Sequence, residues 1–115
     1  MTTVITRQIT GEIAAGDAIS PDIDQELNQH IISIVFYSDA GLTNVVSTSA
    51  MSGVVLVEVS ETGEDYATII NGTIALGSPS YDRPNVGTQI LKVRAQFLAV
   101  TGATHYKILV KSEDK

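Results

Sequence analysis

Apolar and polar residues alternate most cleanly near the end of the chain. In the segment 91–97, Leu91, Val93, Ala95 and Phe97 fall on one side and Lys92, Arg94 and Gln96 on the other, the period of two that a strand with one buried face requires. The segment 104–111 repeats the pattern, with Thr104, Tyr106, Ile108 and Val110 on one side and His105, Lys107 and Lys111 on the other. Thr101, Gly102 and Ala103 join the two segments, which predicts an antiparallel hairpin whose outer face carries Lys92, Arg94, Lys107 and Lys111. Residues 30–37 and 53–59 are apolar on both parities, as suits strands at the centre of a domain or covered by a partner. Further strands are predicted over 4–10, 66–70, 73–76 and 88–100. Asn71-Gly72 is placed between two of them as a type I′ turn, because both residues tolerate positive φ.

Pro79 and Pro84 oppose any ladder in 77–87, which predicts an exposed loop carrying Tyr81 and Arg83. Within 11–28 two readings stand: Ser20-Pro21 caps a short helix through Leu27, or the stretch is an extended arm with Ile13, Ile19 and Ile23 against a surface. Seven or eight short antiparallel strands in one domain predict an all-β fold, a single antiparallel β-sandwich of immunoglobulin-like or jelly-roll order. Residues 1–29 are its N-terminal strand or arm and 30–115 its core.

Composition agrees with sheet. The 115 residues include 12 Val, 13 Ile and 12 Thr against 7 Leu, and β-branched side chains favour the pleated backbone. One domain of this size holds a hydrophobic core without staples. The absence of Cys excludes disulfides, thiolate metal sites and thiol nucleophiles. A net charge of −6 argues against nucleic-acid binding. The charge is unevenly spread: ten acids and one base precede residue 66, and three acids and six bases follow. That asymmetry fits either solvated faces or copies meeting basic edge to acidic edge. The first residues lack the basic and apolar regions of a signal peptide, and no segment has the apolar length of a membrane span, so a soluble protein made in the cytoplasm is expected.

Candidate chemistry is sparse. His30 and His105 lack metal-ligand spacing. Asp22, Asp24 and Glu26 alternate like part of a calcium loop but lack its glycine and its later bidentate Glu. Asp39 near Ser38, or the acids from Glu61 through Asp65, could pair as glycosidase carboxylates, yet 61–65 reads more simply as the polar tip of a hairpin. Asn71-Gly72-Thr73 matches a glycosylation acceptor but is explained by its turn. No nucleophile elbow or phosphate loop is present. The chain is therefore expected to be non-enzymatic, with no cofactor and no metal.

Two stretches carry a resemblance: Val35-Phe-Tyr-Ser-Asp-Ala-Gly-Leu-Thr43 followed by Gly53-Val-Val-Leu-Val-Glu-Val59, and the closing run 93–110. They resemble small β-sandwich structural proteins of tailed bacteriophage virions, over residues 31–110. The resemblance implies a capsid decoration or cement protein bound to the major capsid protein, with a neck, tail or fibre component as the alternative. It implies a homo-oligomer resident in the virion, synthesised in the bacterial host cytoplasm, with no catalytic residues, nucleic acid or membrane. Arg7, Arg83, Lys92, Arg94, Lys107, Lys111 and Tyr81 are the candidate interface residues. A carbohydrate- or receptor-binding module using Tyr81 is a further alternative.

Overall fold

The β-branched residues condense into nine strands among the described residues: β1 (Val4–Glu12), β2 (Asp17–Ile19), β3 (Gln29–Tyr37), β4 (Val45–Val46), β5 (Ser52–Ser60), β6 (Ala67–Ala75), β7 (Asn85–Val86), β8 (Lys92–Thr101) and β9 (His105–Glu113). The computed structural model describes residues 4–13, 17–19, 29–78, 85–87 and 90–113. Of the helix or arm expected within 11–28, residues 11–12 end β1, Ile13 is buried in the core and 17–19 form β2, while the rest lies outside the described residues, as do Tyr81 and Arg83.

The pairing follows a nested rule. β1 pairs with β9, β2 with β8, β3 with β7 and β5 with β6, all antiparallel, so the chain is a long ribbon doubled on itself. The ribbon then rolls, which brings β9 against β3 and β8 against β5. Two sheets result. The first runs β1-β9-β3-β4, with β7 also on β3, and the second runs β2-β8-β5-β6. Strands that alternate between two sheets along a rolled ribbon make a jelly roll. The expected β-sandwich is thus present, and its strand order is the second of the two anticipated.

This order overturns the predicted hairpin at 101–103. β8 and β9 belong to different sheets, so Gly102 sits in an arch that crosses from one layer to the other. Its φ is +102°, and a Cβ there would lie 2.8 Å from the Ala50 carbonyl oxygen, so glycine is needed for the close crossing. Lys92 and Arg94 therefore stand on the outer face of the second sheet, and Lys107 and Lys111 on that of the first. The single basic face does not exist.

Two further boundaries differ. Residues 67–75 are one strand, β6, rather than two strands about an Asn71-Gly72 turn. The register steps from Leu56↔Thr73 to Glu58↔Thr68, so residues 69–72 bulge opposite Val57. The turn-forming pair is spent on that bulge, because the β5–β6 reversal occurs earlier, at the polar tip 61–65, as anticipated. The strand expected from 88 starts at Lys92, preceded by the buried Ile90.

Alternation within the strands survives these corrections. Val93, Ala95 and Phe97 of β8 and Tyr106, Ile108 and Val110 of β9 point inward as predicted and meet Ile32, Ile34 and Phe36 of β3 and Val55 and Val57 of β5. Thr104 departs from the pattern and is exposed. Phe97 is the hub: its ring lies 6.5 Å from Phe36, edge-on, and 4.8 Å from Tyr106, spacings at which aromatic pairs attract beyond their burial. The doubly apolar strands β3 and β5 are both central in their sheets.

Candidate functional site

The outer face of the first sheet is built by β1, β9, β3 and β4. The register sets Thr6, Lys111 and Ile31 in one row, Gln8, Leu109 and Ser33 in the next, then Thr10, Lys107 and Val35, then Glu12, His105 and Tyr37, with Val45 beyond Tyr37. Large apolar side chains stand in water here: Val4 is 50% exposed, Ile31 40% and Val45 67%. Between them the Lys107 ammonium sits 5.6 Å from the centre of the Tyr37 ring, and Lys111 Nζ lies 3.5 Å from Glu113. His105 shares a 2.8 Å hydrogen bond between Nδ1 and the Thr104 hydroxyl, and its Nε2 is 3.9 Å from Glu12. The face mixes exposed apolar side chains with charges that balance, Lys107 and Lys111 against Glu12 and Glu113.

The second sheet treats its cations differently. Arg94 Nε donates to Glu58 at 2.8 Å, and its guanidinium lies 4.1 Å over the Tyr66 ring. Glu58 and Arg94 are register partners on β5 and β8, so the arginine clamps the sheet internally. Arg7 lies on the inward-facing parity of β1, where its Nε is buried without a hydrogen-bond partner. The seven expected interface residues are thus dispersed: Lys107 and Lys111 share a face, Lys92 and Arg94 share another, Arg7 turns inward, and Tyr81 and Arg83 are not among the described residues.

Other candidates are also occupied by the scaffold. His30 is buried rather than at a strand edge, and its Nδ1 shares a 2.7 Å hydrogen bond with the Ser112 hydroxyl. His105 pairs with the far end of the same strand, opposite Tyr37, so the two imidazoles are not brought together. Among the described residues no group of three His, Cys, Asp or Glu could hold a metal. The Asp39 carboxylate accepts from the Thr43 hydroxyl at 2.6 Å and from the Thr43 and Asn44 amides. Those bonds favour its charged form and pull its pKa below the ordinary value. The tip at 61–65 is closed by the Thr62 hydroxyl, which accepts from the Glu64 and Asp65 amides. Burial alone pushes the Tyr106 phenol up.

One feature went unseen in the sequence. A cleft of about 520 Å³ opens at the arch end of the sandwich, lined by Glu12, Ile13, Phe97, Ala99, Val100, Ala103 and Thr104. Its wall is bulged: Ser52↔Thr101 steps to Val54↔Leu98, leaving Ala99 and Val100 opposite Gly53, with Ala99 at φ +53°. The isolated Gly53 within a strand pattern was the available signal.

No protein-family model matches the chain, and no curated protein matches it in sequence. Solved structures do resemble it. A chain of the Bacillus endospore appendages, described as disulfide-linked pili, matches with a TM-score of 0.53 and 12% identity over 99% of this chain and 89% of that one. A chain of the cyanophage Pam1 capsid matches with a TM-score of 0.49 and 12% identity, over 99% and 85%. The core of a Drosophila protein, NLP, matches with a TM-score of 0.47 and 15% identity, over 98% and 100%. At these identities the likeness is one of fold.

Proposed function

We propose that this protein is a non-enzymatic structural component of a bacteriophage virion, a capsid decoration protein that docks on the major capsid protein and stabilises the head. The observation that carries the reading is the outer face of the first sheet, where Val4, Ile31 and Val45 stand exposed in separate rows along a face that also bears Lys107 and Lys111. Such a face suits a partner surface of the same mixed kind, polar groups with scattered apolar contacts. Its small area is compensated when many copies bind a repeated lattice. The non-enzymatic reading is supported by how the polar groups are used: Asp39 closes its own turn, Glu58 clamps Arg94, and His30 is bonded to Ser112 in the core. Disulfide linkage of the kind named for the endospore appendages has no counterpart, since the chain has no Cys.

The test mixes purified protein with capsids stripped of accessory proteins and counts bound copies by native mass. Binding in constant ratio to the major capsid protein is expected, and Ile31→Glu with Val45→Asp should lower occupancy at least tenfold without changing the melting temperature. Absence of shell binding overturns the decoration role, and a discrete ring in solution would then favour a neck, tail or fibre component.

A further inference from the structure

Five strands lie at sheet edges among the described residues, and four are protected. β2 has three residues, β4 and β7 only two each, and β6 carries the bulge at residues 69–72. Short length and bulges are the usual means by which an edge avoids pairing with another chain. β1 has neither. It runs nine residues from Val4 to Glu12 in unbroken register with β9, contains no Pro or Lys, and pairs on one side only among the described residues. Its one deterrent is an inward-pointing charge. Arg7, on its inward parity, has a buried Nε with no hydrogen-bond partner, a condition that native structures rarely leave uncorrected.

We propose that β1 pairs antiparallel with β1 of a second copy about a two-fold axis at Gln8, joining the two first sheets into one continuous sheet. The strand is self-complementary in that register. Val4 faces the partner's Glu12, Thr6 the partner's Thr10, and Gln8 the partner's Gln8, so the centre of the outward row is polar and capable of hydrogen bonding across the axis. On the inward row Arg7 faces the partner's Ile9, and no two like charges stand directly opposite. The half-buried Ile5 and Ile9 gain cover. A two-fold interface of this kind is isologous and closes as a dimer. The proposal is independent of what the assembled protein attaches to.

The absence of Cys makes the test clean, because one introduced thiol is the only thiol. Gln8→Cys should form a covalent dimer under mild oxidation, whereas Thr73→Cys, exposed on the other sheet, should not. Charge variants check the register. Thr6 and Thr10 flank Lys111 and Lys107 within the chain, so Thr6→Glu with Thr10→Glu suits the folded monomer. In the dimer the same pair sets Glu against Glu twice, which should raise the dissociation constant roughly tenfold. Thr6→Glu with Thr10→Lys sets opposite charges across the axis and should restore dimerisation. A wild-type mass that stays monomeric at all concentrations overturns the proposal. So does cross-linking of Gln8→Cys no faster than Thr73→Cys, or equal dimerisation of the two charge variants.

Discussion

Ala99 holds φ +53° opposite Gly53, whose own φ is +110°. The left-handed region costs a residue with a Cβ about 1–2 kcal/mol, and Ala99 is exposed, so little packing is lost if that Cβ is removed. Ala99→Gly should therefore raise stability by about 0.5–1 kcal/mol, the relief of strain exceeding the extra freedom of an unfolded glycine. Gly53→Ala should do the reverse. Its Cβ would lie 2.6 Å from the Ala99 carbonyl oxygen and 2.7 Å from Val100 Cα, backbone atoms that cannot swing aside, and a loss of more than about 2 kcal/mol is expected. Urea unfolding midpoints at unchanged slope measure both. An unaltered midpoint for Ala99→Gly would show that the bulge stores no strain.

At the level of elements, β5 and β8 form the central pair of the second sheet, and Arg94 is their cross-strand clamp. Its ion pair with Glu58 is three-quarters or more shielded from water, and the stack on Tyr66 adds a cation–π contact. Arg94→Ala should cost about 1–2 kcal/mol, and Arg94→Lys should recover only part of it, because an ammonium cannot both stack and aim Nε at a carboxylate. A double-mutant cycle with Glu58→Gln isolates the ion pair from the stack. This pairing shows where sequence reading succeeds. The period of two sorted Val93, Ala95 and Phe97 from Lys92 and Arg94 correctly, since that rule depends only on neighbours along the strand. Which sheet a strand joins depends on the whole ribbon. Thr101-Gly-Ala103 therefore read as a hairpin when it is an arch, and Asn71-Gly72 as a turn when it lies inside β6, because a local turn signal does not say which strands it joins. The cleft beside Ala99 was equally illegible, because its walls come from β1, β8 and the arch, far apart in sequence. So was the role of Arg7, which counted as one more surface cation until the register with Val110 turned it inward.

For the molecule as a whole, the nested pairing orders the strands by the loop each pair must close. β5 and β6 are joined by the short tip at 61–65, whereas β1 meets β9 with Val4 opposite Glu113. Longer closures cost more entropy and non-local contacts form more slowly, so the ribbon should zip outward from β5–β6. Pulsed hydrogen exchange during refolding should show β5 and β6 amides protected before those of β1, and simultaneous protection would contradict that order. The edge proposed for joining two copies is then the last piece of the monomer to exist. A chain stalled on the way, or truncated before β9, has no ordered edge to present, so assembly through that edge would inspect each subunit for completeness before admitting it.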